Sequence, residues 1–255
     1  MMVNKKQLIE LTRELRLPGF REVITQEGDD FSATERQFLY QLLMKESKDR
    51  NVRSKENRIR AAAFPEKKLL EEIQRQYLSS SAERHLDQLA TLEFIDEKQN
   101  VILTGSPGTG KTHLAIALGL EACLKGKRVF FTTVAALINQ LKESRSERTL
   151  RSLETRFEKY DLVIIDELGY ISFDKEGAEL LFTHLSLRAG RSSTIITSNL
   201  SFDRWNEVFQ DTVLTAALTD RLTHKAYVIN MIGDSYRMMQ TQEWLEKQQK
   251  LVAQI

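Results

Sequence analysis

The sequence is poor in the residues that build cross-links, sharp turns and membrane spans. It has one cysteine, Cys123, so neither an internal disulfide nor a cysteine-based metal site can form, and a reducing compartment is expected. Cys123 itself is expected on a buried helix. The opening M-M-V-N-K-K-Q-L-I-E-L lacks an apolar run of signal-peptide length, and no stretch approaches the roughly 20 apolar residues that cross a bilayer. A cytoplasmic chain with no membrane contact is the expectation. Charge of one sign is also missing: 37 Lys and Arg stand against 36 Asp and Glu, a net of +1. A polyanionic partner must therefore meet a local patch and not the field of the whole molecule. The four histidines, His85, His113, His184 and His224, are too scattered to suggest a metal triad.

Glycine and proline are scarcest up to residue 100, where each occurs twice. Apolar residues there fall at helical spacing, as in Leu8, Leu11 and Leu15, then Phe38, Leu39, Leu42 and Leu43. Leu17-Pro18-Gly19 reads as a break between helices. Ser32 or Thr34 is a candidate N-cap for a run free of glycine and proline until Pro65, and a helix of about 30 residues would be about 45 Å long. Between Lys45 and Arg60 this helix is rich in lysine and arginine, which suits either a basic arm or a solvated face.

Beyond residue 100 short apolar runs alternate with longer periodic segments, the pattern of a parallel sheet with crossover helices. The predicted strands are 100–104, 128–132, 162–165, 194–197 and 226–229, with helices over 111–125, 135–142, 148–159, 177–189 and around 216–222. The first strand runs into Gly105, Ser106, Pro107, Gly108, Thr109, Gly110, Lys111 and Thr112, a phosphate-binding loop in its strand-to-helix context. Glycines let backbone N–H groups close on phosphates at a helix N-terminus. Lys111 is then placed to reach the β- and γ-phosphates of ATP, and Thr112 to ligate Mg²⁺. Leu162 to Ile165 form a buried strand ending in Asp166 and Glu167, where Asp166 suits the metal and Glu167 suits activation of an attacking water. Thr194 to Asn199 make another β-branched strand. If that strand lies between the other two, Asn199 sits beside the γ-phosphate. Arg221, on a helix with Asp220, is free to serve a phosphate from outside. Trp205 and Trp244 are expected as packing anchors.

With these elements in this order the chain resembles the AAA+ ATPases, within them the clade of the replication initiator DnaA and the helicase loader DnaC, and in particular the IstB family of insertion-sequence ATP-binding proteins. The similarity takes in G-S-P-G-T-G-K-T-H-L-A, I-I-D-E-L-G-Y, Leu17-Pro18-Gly19, the stretch from Arg58 to Pro65, and Ile232-Gly233-Asp234-Ser235-Tyr236-Arg237. The resemblance implies an α/β fold: an AAA+ P-loop NTPase domain with a five-stranded parallel sheet over 76–255, behind a small all-helical N-terminal domain over 1–75 that contacts DNA, partners or other copies. It implies that Asp166 and Glu167 are the Walker B pair, Asn199 sensor 1 and Arg221 the arginine finger. Arg237 falls at the place of a sensor 2 arginine, although a full helical lid domain is missing.

The resemblance further implies a homo-oligomer with ATP sites at its subunit interfaces, assembled on duplex DNA, that recruits and stimulates a transposase. In the initiator clade the helical insertion before Walker B meets DNA. The matching interval here carries Lys142, Arg145, Arg148 and Arg151, suited to sequence-independent phosphate contacts. Interleaved glutamates allow the same helices to be merely solvated. The ATPase core serves equally for a DnaC-like replicative helicase loader, and a nucleotide-gated binding module without turnover is disfavoured by Glu167.

Overall fold

The computed structural model describes residues 3–170 and 172–252 and divides into two compact units, Met1–Asn57 and Arg58–Ile255. The division falls earlier than the 75/76 boundary that the resemblance implied, because Ala62, with Ile59 and Phe64 packed around it, already belongs to the core of the second unit. In the first unit α1 (Lys5–Glu14) opens with a capping box, Asn4 and Gln7 each satisfying the other's backbone N–H. Pro18 starts α2 (Pro18–Glu27), as its fixed φ favours. Ser32 and Glu35 exchange the same reciprocal bonds at the head of α3 (Ala33–Ala61). Leu8, Leu11, Leu15, Ile24 and Leu43 form this unit's core.

The second unit contains α4 (Ser80–Thr91), α5 (Glu93–Asp96), β1 (Asn100–Thr104), α6 (Lys111–Leu124), β2 (Val129–Thr133), α7 (Val134–Ser146) and α8 (Leu150–Glu158). Then follow β3 (Leu162–Leu168), α9 (Lys175–Arg188), β4 (Ser193–Ser198), α10 (Asn206–Phe209), α11 (Thr212–Thr223), β5 (Ala226–Asn230) and α12 (Tyr236–Val252). The five strands pair in parallel in the order β2-β3-β4-β1-β5. Helices cover both faces, which is why β1, β3 and β4 are apolar on both sides. Val101, Leu103 and Ile164 face a core with Leu86, Leu114 and Leu118, whereas Ile102, Val163 and Ile165 face Leu137, Leu181 and Leu218. Buried Arg188 donates to the carbonyls of Phe157, Tyr160 and Ser193, tying the end of α8 to the start of β4. Cys123 is buried, as expected, and burial pushes its thiol up to about 11.

Two expectations are corrected. Between α3 and α4 the chain is not helical throughout, carrying only short 3₁₀ turns at Leu70–Glu72 and Arg75–Tyr77. Trp205 is a packing anchor with no exposed surface, but Trp244 is 58% exposed on α12. Among the described residues no helix is long and apolar enough to cross a membrane.

Candidate nucleotide-binding site

β4 lies between β1 and β3, so the carboxyl ends of these three strands converge on one cleft. The loop after β1 turns through positive φ at Gly105, Gly108 and Gly110, and α6 begins at Lys111 with no side chain capping its first turn. Its leading amide donors thus point at the cleft with the positive end of the helix dipole. Lys111 is 6% exposed, and its Nζ donates to the carbonyls of Gly105 (2.8 Å) and Ser106 (2.6 Å). Burial pushes its ammonium down to about 8; Asp166 opposes the shift and Arg237 adds to it.

The back of this loop is closed by the chain between β5 and α12. A Cβ on Gly105 would lie 2.2 Å from the Met231 carbonyl oxygen, and one on Gly108 would lie 2.1 Å from Ser235 Oγ. The Tyr236 N–H donates to the Gly108 carbonyl at 3.1 Å. Glycine is therefore needed at 105 and 108 both for the positive φ and to admit this segment against the loop. Arg237, next along this segment, lines the cleft.

At the end of β3 the ladder to β4 is irregular. Ile165 pairs with Ile196 and Leu168 with Ser198, so Asp166 and Glu167 together oppose Thr197 alone. This is a β-bulge, and Glu167 takes a left-handed φ of 68° within it. Asp166 is 4% exposed and accepts on Oδ1 from Thr112 Oγ1 (2.9 Å) and from Thr197 Oγ1. Thr197 Oγ1 also accepts the Glu167 N–H at 3.0 Å. Ser198 Oγ donates to the Leu168 carbonyl and accepts the Leu200 N–H, which fixes the turn holding Asn199.

The cleft, of about 550 Å³, brings together Lys111, Thr112, Asp166, Glu167, Asn199 and Arg237. The cleft is also lined by Ile73, Tyr77, Leu78 and Tyr236, the two tyrosine rings 5.6 Å apart. This apolar wall suits a flat ring. The sequence did not pair its residues, because Ile73, Tyr77 and Leu78 lie in and beside short 3₁₀ turns while Tyr236 opens α12, far away in the chain. Arg221 does not join the site; it is exposed on α11 with its guanidinium 4.9 Å from the centre of the Phe182 ring. Of the four candidate DNA contacts, Lys142 pairs with Asp174 and Arg145 with Glu176, while Arg148 and Arg151 are exposed and make no ion pair among the described residues.

The residues present fit a nucleoside triphosphate with a divalent cation: the loop offers amide donors and a buried ammonium, and Thr112 with Asp166 offers the oxygen donors that a hard cation selects. Fold and site together define a P-loop ATP-binding protein of the AAA+ type. The profile of the IstB-like ATP binding proteins matches residues 10–244, and the chain belongs to that family. It is 35% identical over 247 residues to the insertion sequence IS5376 ATP-binding protein of Geobacillus stearothermophilus, covering 96% of this chain and 98% of that one. With the IS21 ATP-binding protein of Pseudomonas aeruginosa it shares 38% identity over 203 residues, 80% of this chain and 77% of that one. Among solved structures it is similar to DnaI, with a TM-score of 0.54 and 21% identity, over 66% of this chain and 89% of DnaI. AMPPCP-bound DnaA from Aquifex aeolicus is similar at TM-score 0.51 and 19% identity, over 64% of this chain and 49% of that one. These last likenesses bear on the fold alone.

Proposed function

We propose that the protein is a Mg²⁺-dependent ATPase that assembles as an oligomer on duplex DNA and there recruits and stimulates a transposase. The observation that carries the ATPase reading is the bulge at the end of β3, which sets Asp166 and Glu167 against the phosphate loop with different surroundings. Asp166 is buried and held by two hydroxyls; Glu167 is exposed to the cleft and free to orient a water. When bound, the metal supplies charge neutralisation at the phosphates. Lys111 leaves its loop carbonyls for the β- and γ-phosphates, and Asn199 and Arg237 line the γ-phosphate end.

The names of the relatives, insertion-sequence proteins in Geobacillus and Pseudomonas, support transposition over helicase loading as the task. Arg221, solvent-facing and outside its own cleft, suits a finger offered to a neighbouring copy. Arg148 and Arg151 supply the open cations for a DNA backbone, joined by Lys142 and Arg145 if their ion pairs open. The helical N-terminal unit, with exposed Phe20, Val23, Phe38 and Leu42, contributes contacts to DNA, partner or neighbouring copies. In the Glu167→Gln variant, phosphate and metal contacts survive while the base is lost. ATP affinity should stay close to the parent's and turnover should fall about 10²- to 10⁴-fold. Parental turnover in that variant, measured as phosphate release with DNA present, would remove Glu167 from the mechanism.

A further inference from the structure

We infer that Thr197 is a positioning residue that sets both members of the acidic pair through one hydroxyl. The inference rests on the ATPase reading for its effect on turnover, but not for its effect on the metal. Thr197 is 2% exposed in the middle strand of the site, paired with Leu103 of β1 on one side and opposite the bulge of β3 on the other. Its Oγ1 donates to Asp166 Oδ1 and accepts the N–H of Glu167, so donor and acceptor capacities go to the two site acids and none to its own strand. A threonine present only for its strand preference would need no such bonds.

The two bonds do different things. A buried carboxylate needs donors that fix which oxygen faces the cation, and Asp166 takes both of its hydroxyl donors on Oδ1. One donor, Thr112, belongs to the helix that follows the phosphate loop and is itself the expected metal ligand. The other, Thr197, is anchored in the sheet. At Glu167 the left-handed backbone turns the N–H out of the ladder, and the same hydroxyl receives it. Without that acceptor the N–H is left unpaired next to the cleft and the bulge loses its tie across to β4. The carboxylate of Glu167 then loses the fixed backbone that aims it.

The test compares Thr197→Val and Thr197→Ala, which lack the hydroxyl, with Thr197→Ser, which keeps it. ATP binding in EDTA should be near parental in all three and reports that the fold and phosphate loop are intact. The hydroxyl-free variants should lower kcat about 10- to 100-fold with KM within about threefold, and raise about tenfold the Mg²⁺ concentration that half-saturates its effect on nucleotide affinity. Thr197→Ser should stay within about threefold of the parent in both. A parent that binds MgATP but never turns it over overturns the ATPase reading and leaves the Mg²⁺ titration to decide Thr197. Overturning the inference takes parental Mg²⁺ dependence and kcat in a folded hydroxyl-free variant, or a serine variant as impaired as the valine one.

Discussion

Lys111 directs its ammonium to the carbonyls of its own loop, and burial brings its proton affinity down to about 8. Phosphates in the cleft stabilise the charged form, so the bound lysine holds its proton to higher pH than the free one. Above about pH 8 the free protein has lost a proton that the complex retains. Binding there takes up a proton, and nucleotide affinity should fall with rising pH by up to about tenfold per unit. Below that value it should be flat. Calorimetry from about pH 7 to about pH 9, in buffers of different ionisation enthalpy, reads both the affinity and the proton uptake. A profile flat across the range would mean that Lys111 is charged throughout and that burial does not govern it. This lysine was legible in the sequence, since spacing and context name it. Thr197 was not, because a threonine in a β-branched run looks like any other strand former, and only the unequal count of residues across β3 and β4 reveals its two partners.

The α7–α8 pair shows how the local setting sorts residues that look equivalent in sequence. Lys142 and Arg145 answer Asp174 and Glu176 at the head of α9, whereas Arg148 stands at a left-handed turn (φ 59°) and Arg151 on the first turn of α8. Neutralising Arg148 and Arg151 together should weaken DNA binding and lower the log–log salt slope by about 2, one unit for each phosphate left without its cation. Neutralising Lys142 and Arg145 should do less, since they must first give up their partners, although exposed pairs of this kind are worth only about 0–1 kcal/mol. Fluorescence anisotropy across a salt series separates the two pairs. Equal losses would mean that the ion pairs do not matter to the surface, and no loss from either would move the DNA elsewhere. Strand positions could be read to within a few residues because buried parallel strands are continuous apolar runs. β3 was read short: its acids look like a strand end, yet the bulge carries the strand on to Leu168. The chain from Ala62 to Leu78 was harder to read, because little glycine or proline marks its bends and short 3₁₀ turns.

Arg221 lies outside its own cleft, where α11 holds it against Phe182. If it serves a neighbouring copy, Arg221→Ala binds ATP nearly normally and loses about 10³–10⁵ in rate. Mixed with Lys111→Ala, itself inactive, it should recover part of the ATPase rate, since a mixed interface pairs an intact loop with an intact finger. Failure to recover in mixtures shown to contain both variants would leave Arg221 a surface residue stacked on a ring. The segment between β5 and α12 has a practical bearing on anyone trimming the gene. The last strand ends at Asn230 and looks like a natural place to cut. A fragment cut there would keep every residue of the P-loop signature but lack Met231 and Ser235, which press on that loop from behind. Weak nucleotide binding by such a fragment would say nothing about the intact chain, because the signature is contiguous in sequence while the loop's mould is not.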